Sequence, residues 1–487
     1  MTISTRGIVA GAALTALTAG TFALGMRLGP EHSLGHNLAS IQTAQGDGGH
    51  AGSLHLASYQ TSAAKTKATD ADTDTDDAEA GSDPGATFQE VYLKLKRNYV
   101  EGVPDDTILA HGAASAMVAS LGDPQSRFLE PAQMQELKEE MQGSYHGIGA
   151  TTFIRSLQHG DPKATKDTDI PGYIEYRLTV VAPLPGSPAE KAGLLPGDVI
   201  TEINGKWIAT YDPITAATKD LKAVQNDPVS FNKLAKEIQA KVDSAVSLSE
   251  ALKQLTGDTS DKFVLTVSRP GQDKPQTLTL DNTAPTKVTP VASRTLPGNI
   301  GYVKITQFTE SAPEAFGTAL STFGADTKGL ILDLRNSPGG LLDSGAAIAG
   351  KLTTAKSLGI VQLKGKKESA IAIKPSTTIG YPIVVLVNRG TANTAELLAD
   401  TLHRSGAKLV GEKTFGDATD VSPVALRDGS GFTMTVGQLF TSAHGVFNEI
   451  GVKPDIVTPP NASPEEPLTQ AIGLLSGQVA GLPAIHG

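Results

Sequence analysis

The stretch VNRGTANTAE (387–396) has the form of an active-site turn that lacks its working atom. It follows the apolar run YPIVVLV and leads into LLADTLHRSG, which suits a helix. A strand, a tight turn and a helix form the place where hydrolases often present a nucleophile. At the centre of this turn stands Asn393, and an amide is not a nucleophile. Thr391 and Thr394 flank the gap with hydroxyls. A second polar turn, KTFGDATDV (413–421), offers Asp417 as a base for a relocated threonine. Against that, Thr394 would point its side chain elsewhere on the turn, and Thr391 lies two residues away. Glu396, Asp400 and His403 share one helical stretch. A metal or acid–base role is open to them, but a solvated or capping face fits their spacing better.

Composition narrows the chemistry further. The chain has 487 residues, enough for two or three domains with a substantial core. It contains no cysteine, which removes disulfides, thiol catalysis and cysteine-ligated zinc together. Net charge is −10, with no basic block or basic-aromatic stripe, so nucleic acid is not an expected partner. His32, His36, His50 and His55 lie in a polar linker, where they read as incidental rather than as a metal site; no metal and no cofactor are expected.

Several elements must position these residues. The run IVAGAALTALTAGTFALGM (8–26) carries no charge and follows a single arginine, which reads as a secretory signal or an uncleaved anchor. Its length just reaches a bilayer span, so residues 1–29 form that segment. Residues 30–85 are a flexible acidic linker, with the charge block DADTDTDD at 70–77 and few large apolar residues. Apolar residues at helical spacing in FQEVYLKLKRNYV, ILAHGAASAMVASL and AQMQELKEEM predict a helical region over 86–145, interrupted by the turn LGDPQSRFLEP. From about 284 an α/β pattern begins. NIGYVKITQF, KGLILDLRNSPGG and YPIVVLVNRG read as strands buried on both faces. KLVGEKTFG and GFTMTVGQLFTS add further strands, and 463–487 reads as a C-terminal tail.

The intervening segment carries a resemblance. GSPAEKAGLLPGDVITEINGKWI looks like a PDZ domain, and HGIGA looks like its carboxylate-binding loop. Glycines 147 and 149 let backbone N–H groups near Ile148 and Ala150 converge on an anion, while the next strand offers its edge to an extended peptide. The PDZ domain is expected over 146–283. It is interrupted at about 210–246 by an amphipathic stretch, read as a surface helix packed on the domain rather than a lid or partner-binding arm.

The order of motifs over 88–459 resembles the carboxyl-terminal processing peptidases, also called tail-specific proteases. That family cuts polypeptides with a serine nucleophile and a lysine general base. The resemblance implies a multidomain α/β and β protein: an N-terminal helical region, a PDZ domain with a helical insertion, and an α/β peptidase-type core over 284–462. It places Asn393 at the serine position, Asp417 at the lysine position and Val421 at the position of the glutamine that supports the lysine. Gly339 and Gly340 resemble the oxyanion-side loop, and the N–H of Thr394 would be its second donor. Asp333 and Arg335 are architectural in that frame.

Without hydroxyl or amine, the expected function is binding without cutting. An exported, periplasmic or cell-envelope protein would hold unfolded or C-terminal polypeptide segments through its PDZ domain. An active relative or another envelope protein could be a partner, and the membrane a further one if residues 8–26 stay attached. The alternative is an active endopeptidase of the serine-type fold that processes exported proteins with an unusual nucleophile.

Overall fold

The computed structural model describes residues 84–477, except 104, 160–172, 258–261, 282–285, 375, 377–378 and 460–461. The segment 8–26, the linker up to residue 83 and its four histidines lie outside the described residues. Among the described residues, no helix is long and apolar enough to cross a membrane. They fall into two compact units, divided between 114 and 115. The first holds α1 (Pro84–Asn98) and the start of α2 (Asp106–Ala119). Lys96 and Asp106 form an ion pair within it, and neither helix buries a side chain.

The second unit begins with β1 (Arg127–Leu129), α3 (Pro131–Met141) and β2 (Ser144–Tyr145). A capping box between Glu130 and Gln133 starts α3. The PDZ-like part follows: β3 (Ala150–His159), β4 (Tyr173–Pro183), α4 (Pro188–Lys191), β5 (Val199–Ile203), β6 (Lys206–Trp207), α5 (Tyr211–Ala223), α6 (Pro228–Asp243), α7 (Leu248–Thr256), β7 (Lys262–Ser268) and β8 (Gln276–Asp281). Its sheet has the order β3-β4-β5-β7-β8, so one long edge of β3 has no strand partner among the described residues. Ile148, Leu178, Val180, Ala251, Leu255, Phe263 and Leu265 form its core. Helices α5 and α6 bury Leu221, Phe231 and Ile238 with Trp207 in a small cluster of their own. That arrangement suits a packed surface insertion.

Next come β9 (Thr286–Lys287), which pairs with β2, and then β10 (Val291–Leu296), β11 (Ile300–Ile305), α8 (Ala312–Ser321), β12 (Gly329–Asp333), α9 (Leu342–Leu352), β13 (Ser357–Leu363), β14 (Ser369–Ala372) and β15 (Ile383–Val387). The chain continues through α10 (Thr394–Arg404), β16 (Lys408–Gly411), β17 (Thr419–Ala425), β18 (Gly431–Phe440), β19 (Ile456–Val457) and α11 (Glu466–Leu475). The central sheet runs β10-β11-β12-β15-β16-β19, parallel from β11 onward. Every residue of β12 and β15 is buried, as strands covered on both faces require. Leu330, Leu332, Ile383 and Val385 pack toward α8, α9 and α10, while Ile331, Val384 and Leu386 pack toward α11. A second, antiparallel sheet joins β1, β18, β13 and β14, with β17 also on β18.

Two expectations are corrected. The turn LGDPQSRFLEP contains β1, whose Arg127 pairs with Thr433; the region 86–145 is therefore not only helical. The stretch 463–487 contains α11, which buries Leu468, Ala471 and Leu474 on the central sheet. The α/β layer thus extends past residue 462. Hydrophobic burial on a sheet face outweighs a polar setting when apolar residues recur every three or four positions.

Candidate active site

Strand β15 delivers the chain to the turn, and α10 carries it away. At the junction, Asn393 adopts φ 49° and ψ −118°. This is backbone that a residue with a side chain adopts only under constraint. Glu396 supplies the constraint. Its fully buried carboxyl accepts from the N–H of Asn393 (2.9 Å), of Gly416 (2.7 Å) and of Asp417 (2.9 Å), and from the Thr414 hydroxyl. One side chain therefore fastens the 393 turn to the 414–417 loop. Burial pushes the Glu396 carboxyl up to about 8, while these donors pull it down. Three of the four donors are backbone N–H groups that cannot accept, which suits the ionised form.

The carboxamide of Asn393 is fully engaged. Its Oδ1 accepts from the N–H of Thr394 at 2.9 Å, and its Nδ2 donates to the carbonyl of Thr419 at 2.8 Å. Longer contacts of 3.4 Å run from Nδ2 to the carbonyl and Oδ2 of Asp417. The reversed amide would set oxygen against oxygen at Thr419 and Asp417, so the orientation is fixed. The Thr394 N–H, expected as an oxyanion donor, is thereby taken by the Asn393 side chain.

Gly339 and Gly340 lie beside this turn at φ +99° and +131°. A Cβ on Gly339 would lie 2.8 Å from that of Asn393, so glycine is needed for the close approach. Asp417 accepts from the N–H (2.9 Å) and hydroxyl (2.6 Å) of Thr419. Burial pushes its carboxyl up, and Thr419, Asn393 and the charge of Arg155 work in the opposite direction. Val421 is on β17, beside a register shift at Asp420, and both line the cleft described below.

Both threonine hydroxyls are engaged with backbone carbonyls, and that of Thr394 also lies 3.3 Å from Asn393 Oδ1. Thr391 donates to the carbonyl of Leu334 at 2.8 Å, and Thr394 donates to that of Gly340 at 2.7 Å. Glu396, Asp400 and His403 do not converge either. Asp400 pairs with Arg404, and His403 pairs with Asp455. Asp333 is buried among Tyr302 and Arg335, at the foot of the loop that carries Gly339. Among the described residues, no group of three or more His, Cys, Asp or Glu could hold a metal ion.

A cleft of about 970 Å³ connects this turn with the PDZ-like part. Asn393, Gly339, Asp417 and Val421 line it, together with Ala150–Ile154 of β3 and Leu252 and Thr256 of α7. The free edge of β3 faces a peptide-sized space, although Gln125 Nε2 already takes the Ile154 carbonyl at 2.9 Å. In the HGIGA loop, Gly147 and Gly149 have φ near +68° and +69°. The N–H of Ile148 does not point at an open anion site, because it donates to the Leu255 carbonyl at 2.9 Å. Ala150 follows as the first residue of β3.

Sequence reasoning missed Arg155. From β3 it donates to the Phe415 carbonyl at 2.5 Å, and its guanidinium sits 3.9 Å from the centre of the Phe415 ring. Phe153 packs edge-on against the same ring, with Val181 and Ala392. The PDZ-like sheet therefore touches the loop that holds Asp417. Contacts separated by 260 residues leave no local signal.

Comparison with known proteins agrees with this architecture. Residues 299–458 match peptidase family S41, and residues 179–219 match the PDZ domain. The chain is 32% identical over 390 residues to the chloroplastic C-terminal processing peptidase of Tetradesmus obliquus, covering 77% of this chain and 74% of that one. It is also 32% identical over 373 residues to the carboxyl-terminal-processing protease of a Synechocystis species, covering 74% of each. Among solved structures, a photosystem II D1 C-terminal processing protease superposes with a TM-score of 0.56 at 27% identity, over 80% of this chain and 90% of that one. With its PDZ domain and S41 core joined by one cleft, the chain belongs to the carboxyl-terminal processing peptidase family.

Proposed function

We propose that this member of the family binds unfolded or C-terminal polypeptide segments in its PDZ cleft and does not hydrolyse them. The observation that carries this reading is the closed network at Asn393. The carboxamide has no oxygen able to form an acyl bond, and it occupies the Thr394 N–H that would stabilise an oxyanion. Asp417 brings an acid where the family's amine would take a proton. A relocated threonine gains no support, since both hydroxyls are committed to backbone carbonyls. Binding is supported by the unpaired edge of β3 facing the cleft, the arrangement by which a peptide adds a strand. We place the protein in the cell envelope on the apolar segment 8–26, with a scaffold, adaptor or regulatory role toward its bound segment.

The test is a peptidase assay with unfolded protein and C-terminal peptides, run beside a binding assay on the same substrates. The full chain should bind them and show no turnover above that of Asn393→Ala. Steady cleavage by the unmodified chain that survives Asn393→Ala would remove this reading of the site. Absence of binding would remove its other half.

A further inference from the structure

An extended segment that adds antiparallel to β3 ends, at its C-terminus, beside Ala150. The loop there offers less than its glycines promise, because the Ile148 N–H is spent on Leu255. Other donors line the same cleft. The Tyr145 hydroxyl is buried, with the residue only 6% exposed, and has no hydrogen-bond partner among the described residues. A buried hydroxyl left unpaired costs stability, so it marks a place where a partner belongs. Arg127 of β1 lines the cleft too, with Glu140 and Glu136 as the opposite charges acting on its guanidinium. Both residues feel the charge of Glu140, which ties them to one neighbourhood.

We infer that Arg127 and the Tyr145 hydroxyl form the anchor for the terminal carboxylate of a bound polypeptide, in place of the Ile148 amide. This rests on the peptide-binding reading above and names the group that reading leaves open. A guanidinium and a phenol supply charge-assisted donors of the kind that hold carboxylates in partly dry clefts. Glu140 opposes an incoming anion, and so does Glu136 on the same helix; Arg127 and His146 act the other way. Burial pushes the Glu140 carboxyl up to about 7, so it is readily neutralised when a second carboxylate arrives.

The experiment uses the full chain and two fluorescein-labelled peptides ending in valine, one a free acid and one its C-terminal amide. Anisotropy titrations should show the acid binding about tenfold or more tighter than the amide, the size expected for hydrogen bonds to a charged group. Arg127→Gln and the conservative Tyr145→Phe should each shrink that ratio, weakening the free acid more than the amide. Glu140→Gln should widen it. If acid and amide bind alike, or if the preference survives in both Arg127→Gln and Tyr145→Phe, the anchor is wrong and segment binding stands. If neither peptide binds, the peptide-binding reading itself fails and the anchor with it.

Discussion

Two glutamates, Glu396 fully buried behind the Asn393 turn and Glu140 half-buried in the lining of the cleft, make an instructive pair. Burial pushes both carboxyls up, Glu396 to about 8 and Glu140 to about 7. Around Glu396, four donors converge and every polar atom of the neighbouring Asn393 carboxamide has a partner. Near Glu140, the Tyr145 hydroxyl has none among the described residues. A site whose groups satisfy one another has nothing left to offer a substrate. Open donors and acceptors are what a ligand completes. The turn at Asn393 is closed on itself, whereas the Tyr145 hydroxyl has no hydrogen-bond partner among the described residues.

The largest effect should come from opening the closed turn. Asn393→Ser combined with Asp417→Lys and Val421→Gln would place a hydroxyl, an amine and an amide at the positions that the proposed reading assigns to the family's catalytic set. Turnover of an unfolded protein should then rise from background, toward the roughly 10⁶-fold span that separates an intact catalytic set from one without its members. Arg155 would assist, since a nearby cation favours the neutral amine that a general base requires. Each single substitution should remain inactive. An unmodified chain that already matches the triple variant would mean that the site lies elsewhere.

A smaller effect, on stability rather than rate, tests whether Glu396 is the fastener. Glu396→Gln sets an NH₂ group against one of four donors in a fully buried position. It should cost about 2–4 kcal/mol, the combined loss of a charge-assisted bond and the burial of an unpaired donor. Denaturant unfolding of the full chain measures it. A change below about 0.5 kcal/mol, the usual size for surface substitutions, would show that the network does not hold the turn.

How much of this was legible in the sequence follows from distance along the chain. The positions of Asn393, Asp417 and the two glycines sit in short ordered motifs, and uninterrupted apolar runs announced β12 and β15. The helix α11 was also within reach, since EPLTQAIGLL has a proline near its start and apolar residues at helical spacing. What could not be read are contacts fixed by register. These include Thr419 as acceptor of the Asn393 amide, Arg155 against Phe415, β1 paired with β18, and the Ile148 N–H turned toward Leu255. Each depends on how two remote elements meet, and neither element's own pattern encodes it.

The smallest effect sharpens the comparison at Glu140 through pH. Glu140 has an ordinary value of 4.5 and is pushed to about 7 in the folded chain, so the folded state holds this proton more tightly than the unfolded state. Stability from this group is therefore full below about 4.5, falls as pH rises toward 7, and is level above that. A shift of this size is worth on the order of 3 kcal/mol if fully expressed, and about 1–2 kcal/mol once partial access to the cleft is allowed for. Glu140→Gln removes the titration. Because His146 titrates nearby, the informative quantity is the stability of the variant minus that of the unmodified chain, in which the His146 contribution largely cancels. That difference should grow steadily between pH 4.5 and 7 and then level off. A flat difference, or one that grows on acidification, would mean that Glu140 already has a partner, and the contrast with Glu396 would dissolve.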